Sequence, residues 1–440
     1  MKTNEQKRGF VISWFYPPGN SSEGLVTYKL LKNSQYAYDV FTRGVQNATI
    51  WDRKVDESKL TADNVTVIMS KSKNPRQWID EAVEYFLQNS DKYDFIMSRI
   101  MGVEAHEVAL RIKKARPDVK WIASFGDPLV DSPYIRIRDK QDNPHLLSKY
   151  VERESPSLPR MLKISVSPVR HAKKYVWNRE RRGEKAGAGQ LKKVNDETFR
   201  LADVLIFNNK YQYERAFWNG MKKYKSKGII VNHSFDLDLY PKTKKKDSKK
   251  LRFCYVGHLD TMRNASALFD ALGMLAKHDP ELHKKVAFNF FGHMSDMDKS
   301  KIIDNGIAKM VSVHKDIDYL ESLKEISESD WLILIDANLN KELDEYIFFP
   351  AKLADYLAVK KNILAITQLK GATADIVRET RCGQIVTHSA DDIAIYLSKI
   401  IYQGYSPANY NDDEWKKYDA RNVAKEYDKT VQKLLEGKWH

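Results

Sequence analysis

Six short apolar runs alternate with helix-forming segments between residues 251 and 405, and this alternation is the strongest constraint on the fold. The runs are LRFCYVG, VAFNFFG, KMVSVHKDI, WLILID, NILAIT and CGQIVTH. They are apolar almost continuously, as strands covered on both faces by helices should be. Parallel strands need a crossover between them, and that crossover is usually a helix. The sequence therefore predicts an α/β fold with a parallel sheet in this part of the chain.

The first 240 residues repeat the same order. A buried strand at 10–18 leads through the glycine-bearing loop PPGNSSEG into the helix GLVTYKLLKNS, the usual opening of a doubly wound domain. Further strands are predicted at YDVFTRG, NVTVIMS, YDFIMSRI, KWIASF, ADVLIF and KGIIV. A chain of 440 residues is too long for one typical core and fits two domains of roughly 200 residues.

The stretch 344–367, DEYIFFPAKLADYLAVKKNILAIT, predicts an anion-binding site. Pro350 can begin a helix, since its fixed φ and missing N–H are tolerated there, and Leu353 follows at helical spacing. The unpaired N–H groups at such a helix start attract an anion, and Lys352 adds a full positive charge. Asp355, a turn deeper, could accept hydrogen bonds from sugar hydroxyls. The alternative is that Lys352 and Asp355 form an ordinary surface ion pair on the helix.

The helix PAKLADYLA is followed by the short β-rich run NILAIT. This segment resembles the P-x-K-L-x-E-Y-L-A stretch that precedes a strand in retaining GT-B glycosyltransferases, in particular in bacterial group 1, family 4-like members. The resemblance implies two facing Rossmann-like, doubly wound domains and a carboxyl-terminal crossover helix. The expected boundaries are 1–240 for the acceptor domain, 251–405 for the donor domain and 406–440 for the returning helix. The resemblance also implies an activity: transfer of a sugar from a nucleotide-sugar donor to an acceptor.

The family's signature is a pair of glutamates separated by seven residues, and this chain departs from it. Asp355 stands at the position of the second glutamate, and Ile347 stands at the position of the first. Glu345, two residues earlier, is a candidate substitute. The departure leaves open a second hypothesis, a glycosyltransferase-like subunit without catalysis.

The segment GHLDTMRNASAL resembles the loop after the first strand of the family's donor domain, where a basic residue contacts the donor diphosphate. Arg263 matches that residue, and its guanidinium can bind phosphate oxygens with paired hydrogen bonds. An ordinary surface arginine is the alternative. The resemblance places the nucleotide base near 313–317 and the ribose near Asp355. The residues expected around the donor are Arg263, Lys352, Asp355, Glu345, Pro350, Ala351, Leu353, His314, Ile317 and Gly257.

In the first domain, Asp127 follows the KWIASF strand and should face the cleft, although Asp-Pro is also a common way to open a turn. The family often has a His or Asp in this region close to the reacting sugar, and Asp127 matches it better than His106. The loop after the first strand also faces the cleft in the family. Its candidate residues are Gly19, Ser21, Ser22 and Gly24.

Other motifs argue against a nucleotide-hydrolysing or metal-dependent enzyme. The sequence has no G-x-x-x-x-G-K-[ST] loop and no G-x-G-x-x-G after a strand. Asp236 and Asp238 spell D-x-D, and DMD recurs at 296–298, but such short patterns arise by chance and both are predicted to lie in turns. We expect no metal and no cofactor besides the nucleotide-sugar substrate. Cys254 and Cys382 are predicted to be core residues.

The formal net charge of +14 indicates an anionic partner. Between residues 131 and 200, 17 Lys and Arg stand against 9 Asp and Glu, so this segment carries +8 of the excess. Its basic residues are mixed with Leu, Met, Tyr and Trp, and we predict a helical insertion at about 136–193. The insertion could lie on an anionic membrane surface, cover the first domain as a solvated excursion, or bind nucleic acid through Tyr175 and Trp177.

The expected location of the protein depends on its early apolar segment. The early apolar run FVISWFY is stopped by Pro17 and Pro18, so neither a signal peptide nor a membrane span is expected. We expect a cytoplasmic enzyme, peripheral at the inner face of the membrane, that acts on a glycan or lipid-linked acceptor in bacterial surface polysaccharide synthesis. Nucleic acid is not the expected partner.

Overall fold

The structure, a computed structural model, describes residues 6–19, 21–43, 59–72, 74–100, 103–130, 132–133, 189–218, 220–242, 248–339 and 343–439. Of the predicted insertion at 136–193, only residues 189–193 are described, so the hypotheses about it stay predictions. Below, residues up to 242 are called the N-terminal half. The elements from Leu251 to Gln403 are called the C-terminal half.

The N-terminal half is built on a seven-stranded sheet in which each pair of neighbouring strands is parallel. The strand order is β3-β2-β1-β4-β5-β6-β7, so the order reverses between β1 and β4. Ligands of open α/β sheets bind beyond the carboxyl ends of the strands at such a reversal. The strands are β1 (Arg8–Ser13), β2 (Ala37–Arg43), β3 (Val65–Ser70), β4 (Phe95–Ile100), β5 (Lys120–Phe125), β6 (Val204–Phe207) and β7 (Gly228–Ile230).

Helices cover both faces of this sheet. They are α1 (Ser22–Lys32), α2 (Pro75–Gln88), α3 (Glu104–Ala115) and α4 (Lys210–Ala216), with a further helical stretch at 189–201. Helix α1 begins earlier than predicted because the Ser21 hydroxyl accepts a hydrogen bond from the Glu23 N–H and caps the helix. Ser22 and Gly24 therefore lie inside α1 and not in the preceding loop.

The C-terminal half has a second parallel sheet of six strands in the order β10-β9-β8-β11-β12-β13. The strands are β8 (Leu251–Val256), β9 (Val286–Phe291), β10 (Val311–His314), β11 (Trp331–Ile335), β12 (Asn362–Ile366) and β13 (Gly383–Val386). The helices are α5 (Ser266–His278), α6 (Leu282–Lys285), α7 (Asp296–Asp304), α8 (Tyr319–Glu328), α9 (Ala351–Ala358), α10 (Ala372–Thr380) and α11 (Ala390–Gln403). The predicted α/β class and all six predicted strands are confirmed.

Two local expectations differ from the structure. Pro350 is the N-cap of α9 and not its first helical residue, with ψ of 128°, so the helix starts at Ala351. Complete burial of the strands also fails at the sheet edges. Val67 and Met69 on β3 and Val313 on β10 are exposed, because each of these strands has a neighbour on one side only.

The chain returns to the N-terminal half at its end, as expected of a crossover helix. After the short helix α12 (Asp412–Trp415), helix α13 (Ala420–Leu435) packs against α1. The Asp428 carboxylate accepts hydrogen bonds from the Ser34 hydroxyl at 2.6 Å and the Gln35 N–H at 2.9 Å. Tyr427 is fully buried against the first sheet, where its hydroxyl lies 3.4 Å from the Met97 sulfur.

Cys254 and Cys382 are free and fully buried, as predicted for core residues. Within the part of the chain that the structure describes, no helix combines the length and the apolar character that crossing a bilayer requires.

Candidate functional site

The carboxyl ends of the two sheets face each other across a cleft. Asn209, just after β6, donates a side-chain hydrogen bond to the carbonyl of Ile347 in the C-terminal half at 2.9 Å. Asp127, just after β5, lies close enough to Arg263, in the loop after β8, for the two charges to interact. A ligand bound between the sheets would therefore contact both halves.

Lys352 places an ammonium group over the loop that follows β8. It lies in the first turn of α9, and its Nζ donates to the Tyr255 hydroxyl at 2.9 Å and lies 4.1 Å from the centre of that ring. Gly257 makes this approach possible. Its φ is +125°, and a Cβ atom there would collide with the Lys352 ammonium. A positive charge is thus held beside the partly buried backbone of Gly257, at the start of a helix.

Arg263 is held by a tight loop at the carboxyl end of β8. The Asp260 carboxylate accepts hydrogen bonds from the N–H groups of Met262 and Arg263, both at 2.8 Å. The Asp260 N–H in turn donates to the Arg263 carbonyl at 2.8 Å. These bonds fix the backbone from which the partly buried guanidinium extends.

Asp336 is a buried acid that the sequence analysis missed. It follows β11 directly and has no exposed surface, and its carboxylate accepts a hydrogen bond from the Thr367 hydroxyl at 2.7 Å. Burial raises the pKa of this carboxyl, while the neighbouring threonine hydroxyls and the charges of Arg263 and Lys352 act in the opposite direction. Both predicted phosphate-binding cations therefore lie near one buried acid. The sequence feature that could have identified Asp336 is an acid directly after an apolar strand, the same feature that identified Asp127.

Asp127 lies across the cleft from these cations. Its side chain reaches solvent, but the surrounding protein limits its hydration and raises its pKa to about 6. The charge of Glu23 raises this pKa further, and the charge of Arg263 lowers it. A carboxyl with a pKa near neutrality in a cleft is a candidate for chemistry.

A second feature that the sequence analysis missed is an ion pair at the reversal of the first sheet. Arg99, near the carboxyl end of β4, lies with its Nε 2.5 Å from the Glu23 carboxylate and donates through Nη1 to the Ser124 hydroxyl at 2.9 Å. Both charged side chains are buried. An arginine inside an otherwise apolar strand was the signal, although it did not identify Glu23 as the partner.

Asp355, predicted to lie near the donor ribose, has protein partners in this structure. Its Oδ1 accepts hydrogen bonds from Lys29 Nζ of α1 and from the Tyr319 hydroxyl, both at 2.8 Å. Lys352 and Asp355 therefore do not form the surface ion pair considered in the sequence analysis. Asp355 instead pairs with a lysine of the opposite half.

The other residues expected around the donor have mixed surroundings. Ile347 is buried between Tyr346 and Phe348, so no acid stands there, whereas Glu345 is exposed. Leu353 has no exposed surface and packs in the core, so its side chain does not face the cleft.

The region expected to hold the base is open. The His314 ring stacks on Phe291 with centroids 4.5 Å apart, and His314 is itself exposed. Ile317 is half-buried, as are Pro350 and Ala351 at the start of α9.

In the first loop, Gly19 N–H donates to the Tyr16 carbonyl at 2.9 Å, which closes the turn before Ser21 caps α1. His106 is fully buried, its Nδ1 lies 2.8 Å from the Ser98 hydroxyl, and burial lowers its pKa to about 3. His106 is a neutral core residue and does not face the cleft.

The acidic triplets have structural partners. The Asp236 carboxylate accepts from Lys32 at 2.5 Å and that of Asp238 from Arg421 at 2.6 Å. Asp298 lies in helix α7, not in a turn as predicted, and accepts a hydrogen bond from the Ser266 hydroxyl at 3.0 Å. Among the residues described here, no group of three or more His, Cys, Asp or Glu side chains could hold a metal ion.

No protein-family model and no curated protein matches this chain. Solved structures do match. A sucrose-phosphate synthase from Thermosynechococcus elongatus gives a TM-score of 0.62 at 11% identity over 98% of this chain and 100% of that one. The galactosyltransferase WaaB of the lipopolysaccharide outer core gives 0.55 at 13% identity over 98% and 99%.

A structure described as a UDP-N-acetylglucosamine 2-epimerase from Listeria monocytogenes gives a TM-score of 0.57 at 8% identity over 99% of each chain. All three likenesses extend over both sheets and the cleft between them. The chain has the GT-B fold. Lys352 and Arg263 belong to the C-terminal half and Asp127 to the N-terminal half, and the charges of Arg263 and Asp127 interact between the halves.

Proposed function

We propose that the chain is a glycosyltransferase that moves a sugar from a nucleotide-sugar donor to an acceptor. The observation that carries the proposal is the Lys352 ammonium, held over Gly257 at the start of α9 beside the Arg263 loop. Two cations and a helix N-terminus form a site for a diphosphate. The solved structures with the same fold support the proposal, since one is named a galactosyltransferase, one a sucrose-phosphate synthase, and the third is named for a UDP-sugar.

In the proposed mechanism the donor lies against the C-terminal half. Its diphosphate contacts Arg263 and Lys352, and its base lies at 313–317, where residues 313–316 are exposed and Ile317 is half-buried. As the bond to the anomeric carbon breaks, negative charge builds on the departing diphosphate. Fixed cations stabilise that charge in the transition state, which lets the reaction proceed without a metal.

The acceptor enters from the N-terminal half, where Asp127 can accept a hydrogen bond or the proton of the attacking hydroxyl. Retention of the anomeric configuration is the expected outcome, since the resemblance is to retaining enzymes. The anomeric coupling constant in the NMR spectrum of the first-formed product tests it.

The donor can be identified by thermal unfolding in the presence of UDP-, GDP-, dTDP- and ADP-sugars. A ligand at ~100 times its dissociation constant should add roughly 2.7 kcal/mol to the free energy of unfolding, which separates the donors clearly. The same screen on Lys352→Ala is the control, because a diphosphate that binds elsewhere would stabilise both proteins equally. No stabilisation by any nucleotide-sugar would count against the proposal.

Transfer activity is expected to survive EDTA, because the two cations take the place of a metal at the diphosphate. The measurement is nucleotide release with and without an excess of EDTA over total divalent metal. Complete loss that added Mg²⁺ or Mn²⁺ restores would instead point to the acidic triplets, and Asp238→Asn would then be tested first.

We also propose that the acceptor is a glycan, or a lipid-linked glycan met at an anionic membrane surface, in surface polysaccharide synthesis. The basic insertion at 136–193 supports this part by its composition alone. Each basic residue close to an anionic surface contributes ~1 kcal/mol, so wild type should sediment with anionic vesicles at low salt and less at high salt. Changing Arg179, Arg181 and Arg182 to Glu should weaken this binding. Equal sedimentation with neutral and anionic vesicles would contradict the membrane role and favour a soluble acceptor.

The absent first glutamate keeps one alternative in view, a GT-B subunit without catalysis. Ile347 is buried and apolar, so the position cannot supply an acid. Donor binding without turnover across a panel of acceptors would favour this alternative. Salt-dependent binding of RNA or DNA in place of any nucleotide-sugar would favour the nucleic-acid hypothesis.

A further inference from the structure

A chain of buried side-chain amides joins the two halves of the protein. Its members are Asn208 and Asn209, which follow β6, and Gln212 in the first turn of α4. Their exposed fractions are 3%, 6% and 2%, so water has little access to their hydrogen bonds. A buried amide needs partners for both its oxygen and its NH₂ group, and these partners show what the chain connects.

The orientation of the Asn209 amide is fixed by the helix that it caps. Its oxygen accepts hydrogen bonds from the backbone N–H groups of Tyr211 at 2.9 Å and Gln212 at 3.0 Å, as an N-cap does. The NH₂ group therefore points the other way. It donates to the Ile347 carbonyl at 2.9 Å and to the side-chain oxygen of Asn208 at 2.5 Å. Asn209 thus joins the C-terminal half to Asn208.

The orientation of the Asn208 amide follows from that of Asn209. Because its oxygen accepts from Asn209, its NH₂ group is the end that donates, and it donates to the Gly126 carbonyl at 2.7 Å. The Gln212 NH₂ group donates to the same carbonyl at 2.9 Å, and the Gln212 oxygen accepts from the Asn208 N–H at 3.3 Å. Two buried donors therefore hold the Gly126 carbonyl.

This carbonyl belongs to the peptide group that joins Gly126 to Asp127. A peptide group is planar, so two hydrogen bonds to its oxygen fix the plane from which the Asp127 backbone continues. The amides therefore restrict the backbone that carries the Asp127 side chain.

The other end of the chain of amides is the segment that leads into α9. Tyr346, next to Ile347, is fixed to the C-terminal half, because its N–H donates to the Lys370 carbonyl at 2.9 Å. Two residues beyond Ile347, the Phe349 ring stacks on His233 of the N-terminal half with centroids 5.1 Å apart. The segment is thus bound to both halves just before the helix whose first turn carries the predicted phosphate-binding lysine.

We propose that Asn208 and Asn209 are positioning residues that hold Asp127 in place relative to the Lys352 side of the cleft. The roles of Asp127 and Lys352 in transfer rest on the proposed function, whereas the chain of amides does not. Transfer requires the attacking hydroxyl and the departing diphosphate to be aligned, and a displacement of about 1 Å can cost about 100-fold in rate.

Asn209→Ser tests the proposal, because serine is also a good N-cap and keeps the cap of α4 while it lacks the NH₂ group. The variant should lower kcat for nucleotide release by about 10- to 100-fold, with affinities for UDP, GDP and ADP within about threefold of wild type by calorimetry. Asn74→Ser is the matched control, because Asn74 caps α2 by accepting from the Arg76 N–H at 2.8 Å. A kcat within about threefold of wild type in Asn209→Ser would overturn the proposal.

The pH profile separates positioning from a loss of stability. The pKa of Asp127 is raised to about 6 by burial, and the charges that act on it are those of Glu23 in α1 and Arg263 in the loop after β8. A less restricted peptide group should hydrate Asp127, so in Asn209→Ser the rise of transfer with pH should move from about 6 toward the ordinary aspartate pKa of about 3.9. A step that stays near the wild-type pH would overturn the proposal, because a variant that is only less stable keeps it there.

A measurement without any ligand tests the chain of amides directly. Ionised Asp127 is disfavoured in the folded wild type, so Asp127→Asn should stabilise the protein at pH 8. In the Asn209→Ser background the same substitution should stabilise less, and urea unfolding of the four proteins gives the coupling. Gln212→Met removes the second donor to Gly126 and should give coupling in the same direction. Equal effects of Asp127→Asn in all backgrounds would overturn the proposal.

Failure of this inference is distinguishable from failure of the proposed function. If Asp127→Asn transfers sugar at the wild-type rate, the role proposed for Asp127 fails, and the unfolding cycle still decides whether the amides hold it. If Asp127→Asn loses transfer but the cycle shows no coupling, the proposed function stands and the positioning role of Asn208 and Asn209 fails.

Discussion

Asp127→Asn is expected to lower the rate of sugar transfer by about 10²- to 10⁴-fold, the usual contribution of a group that accepts a proton in the transition state. The substitution keeps the size of the side chain, and the side chain is exposed in the cleft, so the fold should be unaffected. Nucleotide release and product formation at saturating donor measure the effect. A rate within a few-fold of wild type would remove Asp127 from the chemistry.

The pH dependence gives this prediction a second readout. The pKa of Asp127 is about 6, so wild-type transfer should rise with pH through that value as the carboxyl ionises, while Asp127→Asn should lack this step. A raised pKa also means that the folded protein prefers the protonated form. The stabilising contribution is complete below the unfolded pKa of about 3.9 and is lost as pH rises through about 6.

Because ionised Asp127 is disfavoured in the folded state, Asp127→Asn should be at least as stable as wild type at pH 7 to 8. The advantage should shrink as the pH falls from about 6 to about 4 and be absent below that, where the wild-type carboxyl is protonated in both states. Urea unfolding at pH 4 and pH 8 measures the difference. A variant less stable than wild type at pH 8 would show that the residue has a structural role.

Lys352→Ala and Arg263→Ala are each expected to weaken donor use by about 10- to 150-fold, because each change removes charge-assisted hydrogen bonds of roughly 1.5–3 kcal/mol. The loss should appear in kcat/KM for the donor and in donor affinity, with little change in the midpoint of unfolding. Lys360→Ala is the matched control, because Lys360 lies just beyond α9 and pairs with Asp412 on the surface. Near-wild-type transfer in both variants would refute the phosphate assignment.

Gly257→Ala separates the position of the ammonium from its presence. A Cβ atom there would displace the Lys352 side chain, and the positive φ would strain the backbone. The variant keeps every charge of the site, so a loss of donor affinity comparable to that of Lys352→Ala would show that the close approach over the glycine matters.

The strands could be predicted from the sequence because their signal is local. Runs such as WLILI in β11 and VLIF in β6 are continuously apolar, and the helices between them leave few topologies. The prediction of complete burial was wrong for the edge strands because exposure there is not a local property. Nothing in VTVIMS shows that β3 has a neighbour on one side only. Strand order along a sheet is a long-range property.

The residues of the candidate site also differ in whether their signal in the sequence is local or long-range. Lys352 could be proposed from the sequence because it stands at a helix start, and Arg263 because its loop resembles a loop of a known family. The Lys29–Asp355 pair joins residues 326 positions apart, and no feature of TYKLLK distinguishes Lys29 from other helix lysines. A carboxylate can be found in a sequence, but its partner depends on how the halves dock.

The return of helix α13 to the first sheet has a consequence for how the protein is made. Leu31, Tyr36 and Phe95 of the N-terminal half share a core with Val423 and Tyr427 of α13. A ribosome that has completed β7 at Ile230 must add about 190 residues before α13 begins at Ala420, which takes roughly 10–40 s at 5–20 residues per second. Throughout that interval the nascent first sheet exposes an apolar face that α13 later covers, and such a face is prone to aggregation during synthesis.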